Sequence, residues 1–110
     1  MRSYDKELIE KAIAYVRQDL GKAHRTALLS VMVYMGETKF KSLFKQYTNQ
    51  SFHEWLVEER MQYAVILLKD SNITLKQTAK KCGYRHQRNF GKSFKKRWGV
   101  SPGNWKKIYA

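Results

Sequence analysis

The chain repeats itself. At a shift of 50 residues, Phe40 falls on Phe90, Phe44 on Phe94 and Lys45 on Lys95. The same shift places Asn49 on Gly99, Ser51 on Ser101 and Trp55 on Trp105. Two aromatic residues four apart lie on one face of a helix. Asn and Gly are the residues that most readily take the left-handed backbone at a helix C-terminus. Ser is a preferred N-cap. The repeat therefore matches helix to helix, stop to stop and cap to cap, and it predicts an all-α chain of two similar units.

Helical spacing places the elements. Ile9, Ala12, Ile13 and Val16 form one stripe of a helix from about Asp5 to Leu20, with Gly21 as its stop. A short apolar helix is expected from about Thr26 to Met35, broken by Gly36. A third runs from about Glu37 to Tyr47, with Phe40, Leu43, Phe44 and Tyr47 facing inward. Ser51-Phe52-His53-Glu54 is a capping box that opens a long fourth helix reaching about Lys69. At 1.5 Å per residue that helix is about 28 Å long. Thr74-Leu75-Lys76-Gln77 is a second capping box, opening a fifth helix to about Cys82, with the turn at Gly83. A sixth helix from Gln87 to Trp98 ends at Gly99. Ser101 caps a last short helix with Pro102 in its first turn. No strand alternation bounded by hairpin turns occurs. The expected organisation is a first unit over 5–50, a linker helix over 51–70 and a second unit over 71–110, all within one module of about seven helices.

Charge narrows the function. The 110 residues contain 22 Lys and Arg against 9 Asp and Glu, a formal net charge of +13, and no acid follows Asp70. Such a balance draws polyanions, nucleic acid first and an anionic membrane second. Cys82 is the only cysteine, which suits a reducing compartment. No apolar run approaches a membrane span or the core of a signal peptide, so a cytoplasmic location is expected. The three His and scattered carboxylates form no paired acid and base. No G-x-S-x-G, Walker or H-E-x-x-H pattern is present, so neither an enzyme nor a metal or cofactor site is expected. Cys82 is expected in the core rather than on a metal. Met32, Met35 and Met61 occupy core-like positions, and Trp55, Trp98 and Trp105 are expected as core or half-buried anchors.

Two short helices with a tight turn, the second apolar on one face and basic or polar on the other, have the pattern of a helix-turn-helix. In the second unit Ala79 is small enough for a close helix crossing, Cys82 suits the interior, Gly83 supplies positive φ, and Tyr84 anchors the turn. At this level residues 73–107, ITLKQTAKKCGYRHQRNFGKSFKKRWGVSPGNWKK, resemble the AraC/XylS family of bacterial transcription regulators. Residues 60–75, RMQYAVILLKDSNITL, resemble that family's linker helix. The first unit departs from the family pattern. Ser30 stands where alanine is preferred, Tyr34 where the turn glycine is expected and Gly36 where a Ser cap is expected, whereas residues 40–52, FKSLFKQYTNQSF, resemble it again.

The resemblance implies two helix-turn-helix units whose recognition helices enter successive major-groove segments of duplex DNA, about 34 Å apart on one face. It also implies RNA polymerase as a protein partner. This piece is expected to be monomeric, either standing alone or as part of a longer chain with a sensing domain. Base contacts are expected from Gln87, Arg88, Asn89 and Lys92 in the sixth helix and from Thr38, Lys41 and Ser42 in the third. Phosphate contacts are expected from Arg85, His86, Lys95, Lys96 and Arg97, with Lys45 and Lys39. A nucleic-acid binder without sequence choice, acting on DNA or RNA, is the competing expectation. A basic module docking on an acidic protein or an anionic membrane is a third. The spread of apolar residues over several helices argues against a helix lying on a membrane surface.

Overall fold

The computed structural model describes residues 1–110 and contains seven helices. They are α1 (Ser3–Gln18), α2 (Thr26–Met32), α3 (Glu37–Thr48), α4 (Phe52–Leu68), α5 (Leu75–Lys81), α6 (Gln87–Trp98) and α7 (Pro102–Tyr109). The chain forms two compact units, Met1–Val57 and Glu58–Ala110, whose boundary in sequence falls within α4.

Caps fix several of the boundaries. Ser51 Oγ accepts from Glu54 N at 3.1 Å and Glu54 Oε1 accepts from Ser51 N at 3.0 Å, so α4 opens on a complete capping box. Thr74 and Gln77 make the same reciprocal pair before α5, and Ser101 Oγ accepts from Asn104 N before α7. Asn49 (φ 62°) and Gly99 (φ 84°) end α3 and α6 in the left-handed conformation. Each donates its N–H at 2.8 Å to the carbonyl of the matched lysine, Lys45 or Lys95.

The first unit buries Leu8, Ile9, Ala12, Ile13 and Val16 of α1 against Leu29, Val33, Phe40 and Phe44 and the start of α4. Phe44 meets Phe52 and Trp55 edge-on, each with ring centroids 5.3 Å apart. The second unit buries Met61, Ala64, Leu68, Ile73, Ala79, Cys82, Phe90 and Phe94. Phe94 there meets Trp105 edge-on at 6.4 Å, at the position matched to Phe44 and Trp55.

The repeat drifts along the chain. α3 matches α6 at a shift of 50, whereas α2 matches α5 at 49. The extra residue lies in the second turn, where Tyr84 and Arg85 separate Gly83 from the cap His86, against Met35 alone between Tyr34 and the cap Gly36. Two expectations change here. α2 stops at Met32 rather than near Met35. Gly36 is the extended N-cap of α3 (φ −64°, ψ 148°) and does not break α2. Among the methionines Met61 is buried and Met35 packs on the core, but Met32 is exposed at 39%, because it lies at the edge of the buried face of α2, one turn from Leu29.

Candidate nucleic-acid interface

Both units close their turns with the same hydrogen bonds. Met35 N donates to Ser30 O at 2.9 Å, and Tyr84 N donates to Ala79 O at 2.9 Å. Tyr34 N reaches Val31 O at 3.1 Å, and Gly83 N reaches Lys80 O at 3.0 Å. Tyr34 holds φ 56° where Gly83 holds φ 87°. The family-like glycine is thus replaced by a tyrosine in the same left-handed conformation. Ser30 fits a buried alanine-type position because its Oγ donates to Ala27 O at 3.0 Å.

Each turn presents a second helix whose inner face is two phenylalanines. In α6, Phe90 and Phe94 are fully buried. At helical spacing the opposite stripe is Arg88, Asn89, Lys92, Lys95 and Lys96, and all five are exposed. Gln87 is exposed in the first turn but stands off that stripe. Arg85 and the N-cap His86 are exposed in the turn just before it. α6 carries no acid.

The α3 counterpart of that stripe is Thr38, Lys39, Ser42, Lys45 and Gln46, also exposed. Gln46 lies at the position matched to Lys96 and was not singled out by sequence reasoning, which weighed cationic and small hydroxyl side chains. Lys41 lies off the stripe, 3.8 Å from Glu37, whose carboxylate also accepts from Thr26 Oγ1 at 2.7 Å. Lys39 stands 3.6 Å from Asp5. Three of the four charges on α3 are thus drawn into ion pairs within the unit.

Arg97 has a different setting from Lys95 and Lys96. Its guanidinium donates to both oxygens of Glu58 in α4, at 2.5 and 2.9 Å, and covers the Trp98 ring at 4.0 Å. The bidentate pair holds the Glu58 carboxyl below its ordinary value. Trp98 Nε1 donates to Met61 O at 3.3 Å. Arg60, two residues beyond Glu58 in α4, lies under the turn that precedes α6. A Cβ at Gly83 would stand 2.6 Å from the Arg60 Cζ. Burial pulls the Arg60 guanidinium below its ordinary value. Burial also pushes the Cys82 thiol up to about 12, so it is protonated and inert in the core. The second half of α4 therefore grips α6 near its end and the turn that precedes it.

Charge separates the units more sharply than geometry does. The first has nine Lys and Arg against six Asp and Glu; the second has thirteen against three. Glu37 and Glu54 of the first unit match Gln87 and Asn104 of the second.

A family profile described as a helix-turn-helix domain matches residues 29–108. The chain belongs to the AraC-type helix-turn-helix family. It is 30% identical over 88 residues to the probable transcriptional regulator LumQ of Photobacterium leiognathi, covering 80% of this chain and 36% of that protein. It is 28% identical over 98 residues to the HTH-type transcriptional regulator AlkR of Acinetobacter baylyi, covering 89% of this chain and 32% of that protein. The chain thus spans about a third of the length of these curated relatives. Its fold is shared with the DNA-binding domain of the global transcriptional factor AdpA, solved in complex with a target DNA, at a TM-score of 0.86 and 24% identity. That match covers 92% of this chain and 91% of the other. An AraC-type DNA-binding domain protein from Chromobacterium violaceum superposes at a TM-score of 0.84 and 17% identity, covering 96% of this chain and 95% of the other. No helix is long and apolar enough to cross a membrane.

Proposed function

We propose that the chain is the DNA-binding part of a transcription regulator. It binds duplex DNA sequence-specifically, with α6 in one major-groove segment and α3 in a second. The single observation that carries this reading is the outer stripe of α6. Arg88, Asn89, Lys92, Lys95 and Lys96 are all exposed, with no acid on the helix. Arg pairs with guanine edges and Asn with adenine edges in the major groove. Lys95 and Lys96, with Arg85 and His86 ahead of the helix, serve the phosphates, which fix register without reading sequence. Arg97 holds α6 to α4 and joins the phosphate set only at the helix end. α3, with Thr38, Ser42, Lys45 and Gln46 outward, mainly positions the domain. RNA polymerase is the protein partner that this reading assigns, and a cytoplasmic location accords with it.

Selection from a random duplex library tests the reading. The expected result is an enriched site that outcompetes scrambled duplex, with roughly 6–8 phosphate contacts and a log–log salt slope of about −5 to −7. Scrambled duplex competing equally would overturn sequence choice, and a near-flat slope would overturn the electrostatic docking.

A further inference from the structure

α2 leaves its outer face uncovered. Leu29 and Ser30 face the core. Leu28 and Val31 stand on the opposite side at 67% and 71% exposure, beside Met32 at 39%, and Tyr34 in the following turn is 92% exposed. The matched residues of the second unit are Gln77, Lys80, Lys81 and Gly83. The same helix pair is thus built elsewhere in this chain with a polar, cationic face, so the helix-turn-helix itself does not require apolar side chains here. A contiguous exposed apolar patch marks a contact surface.

Charge and area choose the occupant. The chain carries +13, and another copy meets like charge over most of that surface. α2 has no charged residue, and none follows until Glu37. A contact between identical copies about a two-fold axis needs a patch complementary to itself, and an uncharged apolar helix face meets that need. The four side chains expose on the order of 500 Å² if each carries roughly 200 Å² in all. A stable pair buries about 800 Å² per partner. The face is therefore too small to hold a dimer in free solution against the repulsion. On DNA the phosphates neutralise both copies and proximity raises their effective concentration.

We propose that two copies bound at adjacent inverted sites on one duplex pair through α2, first unit against first unit, and so occupy DNA cooperatively. This rests on the DNA-binding reading. The test uses the 110-residue chain and duplexes carrying one site or two inverted sites at a series of spacings. The wild type should fill the second site roughly tenfold more tightly than the first at one spacing. Val31→Cys should form a disulfide-linked dimer on that duplex and none on the single-site duplex. Cys82, buried and protonated, gives no background. Val31→Lys and, separately, Leu28→Ser should keep single-site affinity and lose the tenfold gain. Independent filling at every spacing, or a gain unchanged in Val31→Lys, would overturn the pairing. So would Val31→Lys retaining cooperativity while losing activation by purified RNA polymerase, which would give the face to the polymerase. If no duplex is bound, the DNA-binding reading fails, and crosslinking of Val31→Cys alone at millimolar concentration then decides the pairing.

Discussion

The two turns make the same hydrogen bonds with different residues. Gly83 takes a left-handed backbone at no side-chain cost, and the missing Cβ leaves room for the Arg60 guanidinium beneath it. Tyr34 takes the same conformation against a penalty of roughly 1–2 kcal/mol and projects its ring into solvent. The comparison teaches that the turn geometry goes with the packing of Phe40 or Phe90 and with the backbone hydrogen bonds that both turns share. The residue at its apex then follows the use of each unit. The second unit has its apex glycine seated over α4, which fixes α6. The first carries a surface tyrosine and an apolar helix, and its recognition helix is weakly charged.

The largest expected difference lies at the apex itself. Gly83→Ala strains the left-handed φ and displaces the Arg60 guanidinium, the movable end of a flexible side chain, so unfolding in urea should show a loss of roughly 1–3 kcal/mol, most of it from the backbone. A loss under about 1 kcal/mol would mean that the turn relaxes around the new side chain and that Gly83 does not fix it. Next come the two recognition helices. Arg88→Ala should weaken binding to the selected site by about 1–3 kcal/mol and relax base choice at one position. Thr38→Ala, at the matched place, should change affinity less than threefold. Equal losses would make the two helices equivalent readers. Tyr34→Gly relieves left-handed strain but loosens the unfolded chain, so a gain of about 0.5 kcal/mol or less is expected in thermal unfolding. A loss above 1 kcal/mol would show that the tyrosine ring is held by contacts in the first unit.

The smallest effect concerns the tie between α4 and α6. Arg97 holds the Glu58 carboxyl below its unfolded value. Its contribution is therefore full above the ordinary carboxylate range and lost as pH falls through the depressed folded value. Glu58→Gln should flatten the acid limb of stability below about pH 4.3. The first unit offers Tyr47 Oη donating to Glu10 at 2.9 Å in the matched place. An acid limb unchanged in Glu58→Gln would show that the tie between α4 and α6 does not carry the acid sensitivity.

Much of this contrast was legible in the sequence. The pairs Phe40 with Phe44 and Phe90 with Phe94, the capping boxes at Ser51 and Thr74, and the stops at Asn49 and Gly99 are local signals, and local hydrogen bonding obeys them. The end of α2 was not legible. Met32-Val33-Tyr34-Met35 contains no breaker, and tertiary packing, not propensity, places Tyr34 in the left-handed region. Met32 passed for core because an apolar residue on a short helix normally faces inward. The role of Arg97 was hidden because its partner, Glu58, lies 39 residues away in sequence. On α3, Gln46 shares a face with Thr38 and Ser42 at four-residue spacing, but only the cationic and small hydroxyl side chains of that helix stood out as DNA contacts.

The central claim is that the second unit dominates DNA binding and the first mainly positions the domain. The most direct measurement compares two double variants on the selected duplex across a salt series, Lys92→Ala with Lys96→Ala against Ser42→Ala with Gln46→Ala. The account predicts that the α6 variant loses at least a hundredfold in affinity and about 1 to 2 in the log–log salt slope, while the α3 variant stays within fivefold with its slope unchanged. Equal losses, or a larger loss from the α3 variant, would contradict it.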